Sequence, residues 1–144
     1  MRSRVRRIVL AVAMPTLAVL AVMLSGCAST EHPMHSGVGV PASEGTVSAT
    51  TGDNDNTLLE VRVKHLAPPA KIASDATIYV VWIQPLNGAM QNVGGMVLDS
   101  DLVGTLKTVT PYHRFKLIVT PEPSPAVAEP THEPVFTADV ERTK

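Results

Sequence analysis

Apolar and polar residues alternate most cleanly along Leu59-Glu60-Val61-Arg62-Val63-Lys64. A period of two puts Leu59, Val61 and Val63 on one face of a strand and the charges on the other. Pro68 and Pro69 then stop it. Residues 77–83, TIYVVWI, are apolar on both faces and rich in β-branched and aromatic side chains, which predicts a central strand. Pro85, Asn87 and Gly88 make the next turn. A third strand is expected over 91–98, with Gly94-Gly95 marking a bulge or a close approach. Asp99-Ser100-Asp101 reads as a turn and 103–107 as a short fourth strand. Alternation returns at 115–119, with Phe115, Leu117 and Val119 inward, and 135–140 would close the sheet. No amphipathic helix stands out after residue 24. Six or seven short strands between turn signals predict an all-β chain, a small antiparallel β-sandwich of immunoglobulin-like type over residues 57–144. Trp82 is expected in its core.

The amino-terminal pattern is different. Arg2, Arg4, Arg6 and Arg7 precede an uncharged apolar run over 8–24, which gives way abruptly to Ser25, Gly26, Cys27, Ala28 and Ser29. A basic start, an apolar middle and a small-residue exit are the three regions of a signal peptide. The run falls short of the roughly 20 residues that cross a bilayer, and Pro15 disfavours a permanent helix.

Leu24-Ser25-Gly26-Cys27 resembles the lipobox of bacterial lipoproteins. The resemblance implies that 1–26 is removed and that Cys27 becomes the lipidated amino terminus, its thiol carrying a diacylglycerol and its amine a fatty acid such as palmitate. Two or three acyl chains anchor a protein stably, at about 0.8 kcal/mol per buried methylene. A membrane is therefore an expected partner. Ala28, in place of aspartate, implies an outer membrane facing the periplasm if the cell is Gram-negative.

Composition narrows the chemistry. Cys27 is the one cysteine, so the mature chain has no disulfide, no cysteine-based metal site and no free nucleophilic thiol. Removal of four of twelve basic residues, with all thirteen acidic ones kept, leaves 8 − 13 = −5. That balance argues against nucleic acid and against a basic membrane-binding patch.

Residues 27–56 are expected to form the lipidated cysteine and a flexible, disordered tether. They are rich in Ser, Thr, Gly and Pro without a sustained period. A coil of about 29 residues would average on the order of 30 Å, enough to hold a domain clear of headgroups. Within it, Glu31, His32, Met34 and His35 are a ligand set compatible with copper, though two histidines and one methionine make a poor metal tract. Asp53-Asn54-Asp55-Asn56 lacks the glycine and distal glutamate of a calcium loop and reads as a turn into the first strand.

Further on, Tyr79-Val80-Val81-Trp82-Ile83-Gln84-Pro85, Gly88, the run from Phe115 through Thr120-Pro121-Glu122-Pro123, and Pro130-Thr131-His132-Glu133-Pro134-Val135 occur in an order that resembles the extracytoplasmic domain of anti-sigma-K-type factors. The resemblance covers about half of the expected domain. It implies a β-sandwich outside the membrane. With an expected signal peptide at the amino terminus, the cytoplasmic domain that holds a sigma factor in that family is not expected, and its regulatory activity does not carry over.

Candidate chemistry is sparse. His65 and His113 read as strand-end histidines, and Asp99 and Asp101 as turn formers rather than an acid–base pair. Residues 120–134 hold Pro121, Pro123, Pro125, Pro130 and Pro134, which favour extended polyproline II. They are either a semi-rigid arm presenting Glu122, Glu129, His132 and Glu133, or a stiff connection within the fold. The expected function is a non-enzymatic lipid-anchored envelope protein, without a cofactor, whose sandwich binds another envelope component or serves as a structural part. The alternative is a metal- or small-ligand-binding lipoprotein using His32, Met34 and His35.

Overall fold

The computed structural model describes residues 30–37 and 39–142. The expected signal peptide and Cys27 lie outside the described residues. No described helix is long and apolar enough to cross a membrane.

Among the described residues, nine strands form two antiparallel sheets. They are β1 (Thr30–Pro33), β2 (His35–Ser36), β3 (Glu44–Thr51), β4 (Thr57–Lys64), β5 (Ile78–Pro85), β6 (Gln91–Met96), β7 (Gly104–Thr110), β8 (Arg114–Glu122) and β9 (Phe136–Glu141). A 3-10 turn at Asp53–Asp55 joins β3 to β4, and a four-residue helix, α1 (Pro69–Ile72), precedes β5. The first sheet runs β1-β3-β4-β7 and the second β2-β9-β8-β5-β6. In immunoglobulin lettering, β3-β4-β7 correspond to A-B-E and β9-β8-β5-β6 to G-F-C-C′. The all-β sandwich expected from the alternation is therefore present.

Each sheet turns one face inward. Val47, Ala49, Leu59, Val61 and Val63 of the first sheet are buried in one core with Tyr79, Val81, Ile83, Leu117 and Val119 of the second. Phe115, Leu117 and Val119 point inward as expected. The expected bulge is also present: Val81 pairs with Gly94 and Trp82 with Asn92, so Val93 is the extra residue, and Gly94 takes a φ of 140°. Asp99 acts as a turn former, its Oδ1 accepting from the backbone N–H of Asp101 and Val103.

The expected tether is corrected by the fold. Residues 30–33, 35–36 and 44–51 are strands, and β3 lies between β1 and β4 with Gly45, Val47 and Ala49 buried. Its period of two is carried by small and β-branched residues, which fit a pleated surface despite a composition typical of coil. Gly45 is needed there, because a Cβ would run into the Met34 side chain and the Phe136 ring. The chain changes sheets at Met34: β1 pairs with β3, β2 pairs with β9, and Met34 N–H donates to Gly45 O at 2.8 Å. The amino-terminal strands thus bridge both sheets.

Trp82 is also corrected. It is fully buried, but Tyr79, Val81 and Ile83 take the inward face of β5. Trp82 and Val80 point outward and form a second, smaller core with Ile118, against which Ile78, Met90 and Val127 pack. Val127 lies in the proline-rich connection, which covers this outer face.

Candidate functional site

The densest polar constellation lies where β8 ends. Ile118, Thr120 and Glu122 share one face of β8, and Glu122 has no exposed surface. Trp82 Nε1–H donates to Thr120 Oγ1 at 2.8 Å, and the Thr120 hydroxyl is 2.6 Å from Glu122 Oε1. The indole can only donate, so the Thr120 proton goes to Glu122. From the proline-rich connection, Thr131 N–H reaches Glu122 Oε1 and Oε2 at 3.0 and 3.2 Å, and the Thr131 hydroxyl donates to Oε2. Every neighbour presents a donor, which suits a carboxylate.

His132 continues the chain of contacts. Its Nδ1 is 2.9 Å from Thr131 Oγ1 and its Nε2 is 3.0 Å from Asp75 Oδ1. The Thr131 proton is committed to Glu122, so both imidazole nitrogens face oxygen acceptors. Threonine, histidine and aspartate are the residue types of a nucleophile relay. The polarity here differs from one: the Thr131 hydroxyl gives its proton to Glu122 and not to His132. The cluster ties Asp75, β8 and the proline-rich connection together.

Two further clamps hold that connection. Asn92 Nδ2 donates to Pro125 O at 2.9 Å and Val127 O at 3.0 Å, and Thr77 Oγ1 donates to Pro123 O at 2.9 Å. Of the four side chains that an arm was expected to present, Glu122 is buried and His132 is half-buried; Glu129 and Glu133 are exposed. The segment is a packed cover of the second core as well as a connection.

A second polar cluster sits at the other end of the sandwich. The Arg142 side chain is 1% exposed, its Nη2 lying 2.7 Å from Asp55 Oδ1 and 2.9 Å from His113 Nε2, while Nη1 donates to Asn56 O at 3.2 Å. These contacts staple the end of β9 to the turn before β4. Nearby, the Arg114 guanidinium is pushed up from its ordinary value by its hydrogen bond with the Glu141 carboxylate and by that group's charge. Burial pushes the Tyr79 phenol up to about 12; its hydroxyl donates to Ala67 O at 2.7 Å. His65 is an exposed strand-end residue with a φ of 55°, and its carbonyl accepts from Ser43 Oγ.

The candidate ligands His32 and His35 stand on β1 and β2, and Met34 at the step between them, rather than on a tether. Met34 is buried in the core, and His35 is exposed on the strand that pairs with β9. The Met34 thioether is thereby buried and the His32 side chain partly so, while His35 faces solvent. Among the described residues no group of three or more His, Cys, Asp and Glu is placed to hold a metal.

Sequence reasoning missed Thr120, Thr131 and Asp75. The signal for Thr120 was the period of two running on from Ile118 through Pro121 to Glu122; nothing local points to Asp75. No protein-family model, curated protein or solved structure matches the chain.

Proposed function

We propose that this chain is a non-enzymatic bacterial lipoprotein, anchored in an envelope membrane through Cys27, whose sandwich binds another envelope component. The observation that carries the proposal is the order Leu24-Ser25-Gly26-Cys27 at the end of a basic and apolar leader. The domain itself resembles the extracytoplasmic sandwich of anti-sigma-K-type factors in the residues named above, several of which build the Glu122 cluster. Ala28 favours an outer membrane facing the periplasm in a Gram-negative cell. Exposed Glu129 and Glu133, on a segment held rigid by Asn92 and Glu122, offer a partner a preorganised acidic ridge.

Labelled palmitate fed to expressing cells should enter the wild-type protein and not a Cys27→Ala variant, and the variant's mature domain should leave the membrane fraction. Wild-type protein that takes up no label would end the lipoprotein reading. Crosslinking in intact envelopes, with and without Glu129→Lys and Glu133→Lys, tests the partner surface; an unchanged crosslink pattern would exclude that ridge.

A further inference from the structure

We propose that the sandwich stands directly on the bilayer by the end at which β1 begins, with the proline-rich cover at the far end; this rests on the lipidation of Cys27. The described fold starts at Thr30. Three residue steps from Cys27 reach at most about 11 Å, against the tens of ångströms that a long tether would give.

The strand register identifies what shares that end. Thr30 pairs with Ala49 near the end of β3, Thr51 with Thr57, and Thr57 with Thr110 at the end of β7. The short 111–113 link carries the chain from there to Arg114, which pairs with Glu141, while Pro85 at the end of β5 pairs with Phe115. The contacts of Arg142 with Asp55 and Asn56 join the two sheets at the same end. The loops at 65–77, 97–103 and 123–135 fall at the other end. With eight residues in β4 and about 3.3 Å per residue, the two ends are roughly 25 Å apart.

Among the described residues, three of the five exposed large hydrophobic side chains lie at or near this end, and Val97 and Leu102 lie at the other. Leu86, on the β5–β6 hairpin, is 70% exposed. Leu58 and Val109 face each other across β4 and β7 one step in from the end, and both are exposed. Charges of both signs share this end, exposed Asp53, Asp55, Glu141 and Arg114 with Arg142 buried against Asp55, so it has no basic surplus to draw it to anionic lipid. The apolar rim and the short covalent link would seat it, with apolar side chains entering the headgroup layer by about 5–10 Å.

The test uses full-length lipidated protein in vesicles of phosphatidylethanolamine and phosphatidylglycerol. Acylation occupies Cys27, so Leu86→Cys and Glu129→Cys each supply a single free thiol for an environment-sensitive fluorophore. Quenching by doxyl-labelled lipid should be several-fold stronger at position 86 than at 129. Equal quenching, or stronger quenching at 129, in protein shown to carry labelled fatty acid would overturn the seating while leaving lipidation intact. Absence of fatty acid from Cys27 would remove both.

Discussion

Trp82 gives its indole hydrogen to the Thr120 hydroxyl at 2.8 Å, and this one contact sets the direction of the hydrogen bonds beyond it. Thr120 must pass its own proton to Glu122, whose carboxylate then also accepts from Thr131 on the opposing segment. The proline-rich cover is therefore latched from beneath by a strand residue.

Glu122→Gln keeps the size of the side chain and replaces one acceptor with a donor. Set against two hydroxyls and an N–H that all donate, the amide leaves at least one buried group unpaired. A loss of about 2–4 kcal/mol is expected from urea unfolding monitored by Trp82 fluorescence. A loss below about 0.5 kcal/mol would mean that apolar packing and the Asn92 and Thr77 clamps hold the cover without Glu122.

Thr120→Val should cost about 1–3 kcal/mol, because it strands the indole N–H and removes one donor from Glu122. Combined with Trp82→Phe, the second substitution should cost less than it does alone. Strict additivity of the two losses would show that the relay is not an energetic unit.

Tyr79 governs an alkaline limit. Its phenol titrates at about 12 in the folded chain against an ordinary 10.0, so the neutral form is the one the fold keeps. This contribution is complete below pH 10 and is lost as pH rises toward 12. It amounts to about 2–3 kcal/mol at most. Tyr79→Phe should be less stable than wild type at pH 7, by about 1 kcal/mol for the bond to Ala67. Its stability should then fall less steeply between pH 10 and 12. Parallel curves for the two proteins would assign the alkaline loss to other groups.

A chain beginning at Asn54 should fail to fold cooperatively, whereas one beginning at Thr30 should unfold in a single sigmoidal transition. The shorter chain lacks β3, which closes the core over β4, and the pair β1 and β2 that joins the sheets. Circular dichroism across a urea series distinguishes them. Equal midpoints would return β1–β3 to the status of an accessory.

The parts of this fold legible in the sequence were those where large apolar residues marked the period, such as Leu59, Val61 and Val63 or Phe115, Leu117 and Val119. β3 was not legible because Gly45, Val47 and Ala49 are small enough to pass for coil, and Gly45 is small for a tertiary reason, the nearness of Met34 and Phe136. Trp82 was assigned to the wrong core because β5 is apolar on both faces and period alone does not choose between them. The Glu122 cluster joins residues from four separate segments, and only the Ile118-Thr120-Glu122 spacing lay within one strand. Asp75 meets His132 through folding alone.

The ladder between β2 and β9, and the bond between Arg142 and Asp55 across 87 residues, bear on when the chain can become native. Both pairings join early and late parts of the polypeptide, so a ribosome that has released residues up to Pro134 has yet to deliver the strand that finishes the second sheet. Until β9 emerges, β2 has no neighbour and the Phe136 side of the core is missing. Closure of such distant pairs is slow compared with local structure. A nascent chain of this design lacks a complete second sheet until β9 arrives, so its compact form waits on that strand.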